Sequence, residues 1–225
     1  MTKYTLAVDG STYAGTVALI CGRDVIAERS LPDSGIPVRG QRGEDFMPMV
    51  VECMADAGAF AGDLERVICG AGPGSFTSLR IAASIAKGMA VGAGCPLHAV
   101  SSLLLIPAAS DLAPGKYFVA LPAMRGESYL IGVDASNDSI RSDGPVQIVP
   151  TLDVERIAAE MHRVVIGPGF GAGLKPHARG VARIVEQVVA AGQCDLNTWE
   201  PAYGRLAEAQ VKWEAAHGRS LAQEA

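Results

Sequence analysis

Three glycines, a proline and two serines crowd the segment Cys69-Gly70-Ala71-Gly72-Pro73-Gly74-Ser75-Phe76-Thr77-Ser78-Leu79-Arg80, which joins a short apolar run to a long, almost uncharged one. Glycine reaches positive φ and lets a backbone or an anion approach closely, while Pro73 stiffens the turn and Ser75 stands where a helix N-cap would. Such a turn can bind an anion, because the first amides of a helix point out of it. Gly72, Gly74 and Ser75 are then the candidate phosphate contacts, with Arg80 one turn into the helix. A tight strand-to-helix corner needs the same residues, and both readings stand. Three sharper motifs fail on the letters. Thr77 replaces the third glycine of a dinucleotide fingerprint, no Gly-Lys-Ser/Thr follows for a P-loop, and Ser75 lies in Gly-Ser-Phe-Thr rather than Gly-x-Ser-x-Gly.

A second candidate is Asp9-Gly10-Ser11-Thr12, at the end of an apolar run. An exposed hairpin acid can organise Mg²⁺ while small neighbours such as Ser11 offer amides to a phosphate. An ordinary hairpin turn reads the same way. The corresponding hairpin of the second half, Met124-Arg125-Gly126-Glu127, follows Pro122 rather than an acid, so the facing carboxylate of a nucleotide site is missing. His98, His162, His177 and His217 are isolated, which argues against a metal site, and no Ser/His/Asp or Cys/His pairing follows from the spacing.

These segments need elements to hold them. Tyr4 to Asp9, Thr16 to Cys21 and Val25 to Ser30 read as an antiparallel meander. A helix from about Glu44 to Ala57 follows, then a strand Arg66 to Gly70, a helix Ser75 to Val91, a strand Leu97 to Ala99 and a helix Ser101 to Asp111. The second half repeats the order. Strands Lys116 to Leu121, Ser128 to Val133 and Val146 to Val149 precede a helix Leu152 to Met161, a strand Val164 to Gly167 and a helix Val181 to Ala191. The repeat lies in the architecture and not in the letters. It predicts an α/β protein of two ribonuclease-H-like lobes, the layout of the actin-like ATPase (ASKHA) fold. The turn-rich Asp111-Leu112-Ala113-Pro114-Gly115 sets the boundary, giving lobes 1–111 and 112–225, with Val211 to Leu221 packing back on a lobe or fraying.

Composition narrows the function. The 225 residues carry a net charge of −5 and no cluster of Lys or Arg, so the electrostatic footprint of a nucleic-acid binder is missing and any RNA is held mostly by another chain. The five cysteines lack metal-type spacing and read as reduced, small apolar residues of a cytoplasmic protein. The longest apolar stretch, Ile81 to Gly94, is interrupted by Lys87 and falls short of the ~20 residues of a membrane span.

The helix Ser75 to Val91 carries only Arg80 and Lys87 as charges and reads as buried nearly all round. The preceding helix has two apolar faces, with Pro48 expected to disturb its first turn. One face serves the sheet. The other, with Met47, Val51 and Met54, is either covered by the second helix or exposed, and if exposed it joins Ser78, Ile81, Ile85 and Gly88 as a candidate partner interface.

The run Gly72 to Arg80, continued through Ile81-Ala82-Ala83-Ser84-Ile85-Ala86-Lys87-Gly88-Met89-Ala90, Pro96 and Val100-Ser101-Ser102-Leu103, resembles the signature of the TsaB (YeaZ-type) family. Val8-Asp9-Gly10-Ser11-Thr12, Phe46-Met47-Pro48-Met49-Val50, Ala123-Met124-Arg125-Gly126-Glu127-Ser128-Tyr129 and Glu200-Pro201-Ala202-Tyr203 extend the resemblance over essentially the whole chain. The departures are Gly10 for a usual threonine, Ser78 for a usual glycine, Pro122 for a usual aspartate, and the absence of a histidine before Glu44. The resemblance implies the actin-like fold and a non-catalytic role in threonylcarbamoyladenosine modification of tRNA. It implies a heterodimer with a TsaD-type transferase, completed by a TsaE-type ATPase, with tRNA engaged indirectly and self-association of the isolated chain left open. No intrinsic cofactor is implied; ATP and Mg²⁺ enter only at the assembled complex. The alternatives are a self-sufficient actin-like ATPase or kinase and, more remotely, a metalloprotease.

Overall fold

Alternating small and branched apolar residues along Tyr4–Asp9 give β1 two buried faces, and the whole molecule is layered around that fact. A computed structural model describes residues 2–32, 42–137 and 139–204. β1 pairs antiparallel with β2 (Thr16–Cys21), which pairs with β3 (Asp24–Ser30). β1 also pairs parallel with β4 (Leu64–Gly70), and β4 with β5 (Leu97–Val100), so the first sheet runs β3-β2-β1-β4-β5. The parallel crossovers are α1 (Arg42–Asp56), which follows β3, and α2 (Phe76–Ala93), which links β4 to β5.

After α3 (Ser102–Ala108) the meander repeats as β6 (Gly115–Pro122), β7 (Glu127–Ala135) and β8 (Ile140–Ser142), with β9 (Gln147–Pro150) also pairing with β7. A 3₁₀ turn at Thr151–Asp153 leads into α4 (Val154–Glu160), and β10 (Val164–Ile166) returns parallel to β6. The second sheet runs β10-β6-β7-β8, and α5 (Val181–Ala190) follows a 3₁₀ turn at Ala178–Gly180. The repeated strand order expected from sequence is present, in an α/β chain with the actin-like, ribonuclease-H-like architecture.

Side-chain alternation distributes the layers. Leu6, Val8, Val17 and Leu19 face α1 and α2, whereas Ala7, Ala18, Ile20 and Ile68 face inward. That inward face shares one core with Leu103, Leu105 and Ile106 of α3, with Ile184 and Val188 of α5, and with Val119, Ile131 and Val133 of the second sheet. Ala120, Leu130 and Val154 form the outer core under α4. The middle layer is exchanged between the halves. α3, the last helix of the first half, packs on β6, β7 and β8, while the turn before α5 packs on β1, β2 and β3.

Several boundaries differ from expectation. The helix expected over Ser101 to Asp111 ends at Ala108, after Pro107, and β8 is a three-residue strand too short to show a period. α1 begins at Arg42, so Pro48 lies in its second turn and not its first. Val211 to Leu221 and His217 lie outside the described residues.

Candidate functional site

At the end of β1 the backbone turns so that Asp9 points inward, not to solvent, and its side chain is 1% exposed. This corrects the expectation of an exposed hairpin acid. Ser102 Oγ donates to Asp9 Oδ2 at 2.5 Å, and Ser11 donates to Oδ1 from its hydroxyl at 2.6 Å and its amide at 3.1 Å. Burial pushes the Asp9 carboxyl above the ordinary value of 3.8, and the Ser102 and Ser11 hydrogen bonds oppose the rise. Gly70 packs against the same carboxylate, with no room for a Cβ.

The glycine loop is tied to this network. Ser102 Oγ also accepts from the Gly72 amide at 3.0 Å, the Ala71 amide donates to the Val100 carbonyl at 2.7 Å, and the Ser75 amide donates to the Ser11 carbonyl at 2.8 Å. Gly74 is pressed on the Ser11 backbone and Gly10 on the Ser78 carbonyl, so neither position admits a side chain. Those three amides already have acceptors within the chain. The hydroxyl of Ser75 makes no cap bond to α2 and instead lies 3.1 Å from Ser78 Oγ. Asp9, Ser11, Gly72, Gly74 and Ser75 are thus brought together as the sequence suggested, but as a corner that bonds β1, β4 and α2 to one another. Ser102 is the member that sequence reasoning missed.

In the corresponding hairpin of the second half, Met124 and Arg125 take positive φ of 67° and 55° before Gly126 at 76°. The Ala123 and Glu127 backbones close the hairpin, and the Gly126 carbonyl accepts from the Thr151 amide at 2.8 Å. Pro122 closes β6 at the position expected of the missing acid.

The outer face of α1 and α2 is one-sided. Leu79, Ala82, Ala83, Ala86 and Ala90 of α2 are buried, while Ser84, Gly88, Val91 and Gly92 are exposed, so this helix is not buried all round. Met47 is 40% and Val51 56% exposed. Ile81 and Ile85 are half-buried against the first core, and Ser78 is half-buried beside Ser75. Added Cβ atoms at Gly88 and Gly92 would meet nothing within 4 Å. Met54 departs from the expectation: at 9% exposure it belongs to the core beside Cys53 and Val50. Arg29 rims this surface through ion pairs with Glu52 and Asp56 of α1.

Elsewhere the fold assembles one constellation that no spacing revealed. His177 Nε2 lies 3.1 Å from Ser30 Oγ, and its Nδ1 lies 3.9 Å from Glu28 Oε2, across 147 residues of chain between serine and histidine. The Arg179 amide donates to Nδ1, so in the neutral ring Nε2 carries the hydrogen and donates to Ser30. Burial lowers the His177 pKa, opposed by Glu28 and aided by Arg179. A ring that donates to a serine cannot take its proton, and the three side chains do not form a nucleophilic triad. His98 is buried, with its Nδ1 2.8 Å from the Gly192 carbonyl. All five cysteines are free, and burial raises the thiols of Cys53, to about 11, and of Cys69, Cys95 and Cys194. Among the described residues no group of three or more His, Cys, Asp or Glu could hold a metal ion, and no helix is long and apolar enough to cross a membrane.

A family model for TsaD, tRNA N6-adenosine threonylcarbamoyltransferase, matches residues 40–141. The chain is 28% identical over 229 residues to the tRNA threonylcarbamoyladenosine biosynthesis protein TsaB of Bacillus subtilis (strain 168), spanning 92% of this chain and 96% of that protein. Against the protein of the same name from Escherichia coli (strain K12) it is 32% identical over 126 residues, 55% of this chain and 52% of that one. A solved structure from Pseudomonas aeruginosa, described as an uncharacterized protein with similarity to peptidase YeaZ, superposes with a TM-score of 0.74 at 22% identity, covering 90% of this chain and 100% of that one. The structural likeness establishes the fold, and the sequence likeness to the Bacillus protein runs nearly end to end. In sequence the chain is similar to TsaB proteins, and in fold to the YeaZ-like structure.

Proposed function

We propose that this chain is the non-catalytic subunit of the tRNA threonylcarbamoyladenosine machinery, and that it binds a TsaD-type transferase through the outer face of α1 and α2. In this reading the partner performs the chemistry, moving the threonylcarbamoyl group from its adenylate to N6 of the adenosine beside the anticodon. The observation that carries the reading is the state of Asp9. The acid placed to organise a metal is enclosed by Ser11 and Ser102, and the neighbouring loop amides are used within the chain. The corresponding hairpin of the second half brings Pro122 in place of a second acid. What this chain offers instead is a surface: Met47, Val51 and Val91 exposed, with Gly88 and Gly92 open to close approach.

Two helices presenting such a face suit a partner that presents two of its own, giving a four-helix contact. A partner of related fold fits that geometry, and the TsaD family model matches the stretch that contains both helices. A TsaE-type ATPase completes the assembly in the cytoplasm, with ATP and Mg²⁺ entering only there. Because the chain carries a net charge of −5, tRNA is held mainly by the other subunits. A second copy of this chain competes for the same face when the transferase is absent. The test is sedimentation of the purified chain with and without the transferase. A one-to-one complex supports the reading, and independent sedimentation at micromolar concentrations contradicts it.

A further inference from the structure

The segment Glu200-Pro201-Ala202-Tyr203-Gly204 runs across the mouth of the glycine loop and touches three separate parts of the fold. The Ala202 amide donates to the Ala71 carbonyl at 2.8 Å, and the Ala202 carbonyl sits where a Cβ on Gly72 would approach it to 2.5 Å. The Tyr203 ring packs on Phe76, the first residue of α2, with centroids 4.4 Å apart and planes tilted by 44°. Arg80 lies over the other part of that cluster, 5.5 Å from the Phe76 centroid. Tyr129 of β7 donates its hydroxyl to the Tyr203 carbonyl at 3.2 Å, and Gly204, at φ +74°, fits against the Tyr129 ring and Pro73. One short stretch therefore links the loop, the start of α2 and the second sheet.

The start of α2 needs such help. Its N-cap residue Ser75 makes no side-chain cap bond, and no acidic residue stands in the first turn. The helix start is fixed from outside, by the Ser75 amide on the Ser11 carbonyl and by the ring stack of Phe76 with Tyr203.

We propose that residues 200–204 form a strap that sets the position of α2, and that Tyr203 is the positioning residue through which it controls docking of the transferase. The inference rests on the docking reading above. Stacked aromatic pairs contribute about 0.5–1.5 kcal/mol beyond their area, so losing the ring reduces affinity by roughly two- to tenfold. Tyr203→Phe keeps the ring and restores binding to about the wild-type level. Tyr129→Phe removes the hydroxyl that donates to the Tyr203 carbonyl and costs about two- to tenfold.

Affinity for the TsaD-type transferase is measured by titration calorimetry on the full chain and the three variants, and amide hydrogen exchange is followed in parallel. The expected result for Tyr203→Ala is weakened binding with faster exchange confined to residues 71–80, both reversed in Tyr203→Phe. Wild-type affinity in Tyr203→Ala overturns the proposal, whatever the exchange shows. If Tyr203→Ala does not fold, Tyr129→Phe decides by the same two readouts. If the wild-type chain fails to bind the transferase, the docking reading falls separately. Exchange then judges the strap: local acceleration at 71–80 upholds its hold on α2, and unchanged or uniformly faster exchange overturns it.

Discussion

A carboxylate taken out of water costs several kcal/mol unless hydrogen bonds replace its hydration, and Asp9 survives in the interior because Ser102 and Ser11 supply them. Asp9→Ala leaves the Ser102 hydroxyl and the Ser11 amide buried without their acceptor, so it is expected to lower stability by about 2–4 kcal/mol in urea denaturation. A loss below about 0.5 kcal/mol, the level of an ordinary surface change, contradicts the burial argument. The pH dependence has a definite sign. A carboxyl whose folded pKa is raised binds its proton more tightly in the native state, so stability falls as pH rises from near 3.8 through the raised value. Asp9→Asn removes that fall, and the difference between the two proteins' stability curves isolates it. Sequence placed Asp9 at the end of the first strand. Its orientation was not legible, because the partner that encloses it, Ser102, lies 93 residues away and acts through the parallel neighbour strands.

At the scale of elements, α1 and α2 separate core from exposed surface by phase. Val51→Glu places a charge on a residue already 56% exposed and leaves the fold intact, whereas Met54→Glu forces a charge into a site 9% exposed. In the complex proposed above a carboxylate at position 51 would be buried without a partner and is expected to cost about 3 kcal/mol or more, a hundredfold in affinity. Circular dichroism and sedimentation check both halves of the statement: Val51→Glu folded and unbound, Met54→Glu unfolded. A Val51→Glu chain that still binds at wild-type affinity moves the contact elsewhere. The two long helices and the meander strands were readable from periodicity, since each runs long enough to repeat. Met54 was placed on the wrong side because it follows Met47 and Val51 at helical spacing, yet it packs in the core with Val50 and Cys53. The three residues of β8 carry no period at all.

For the molecule as a whole, the exchange of the middle layer matters most. α3 packs on the second sheet and the turn before α5 on the first, so neither half completes its own core. The fragment 1–111 is expected to show no cooperative unfolding, since Leu103, Leu105 and Ile106 lose the face they bury; a cooperative thermal transition in that fragment contradicts this. Strand and helix order made the repeated architecture legible in sequence. The exchange was not, because it depends on which sheet a short helix turns toward and not on the helix itself. The central claim concerns what this molecule contributes to a reaction, and reconstitution tests it most directly. Transferase, ATPase subunit and adenylate-forming enzyme are mixed with tRNA, with and without this chain, and threonylcarbamoyladenosine is quantified. The account predicts modification only when this chain is present, none from this chain alone, and wild-type yield lost in Val51→Glu. Modification or steady ATP turnover by the isolated chain, or full modification in its absence, would contradict it.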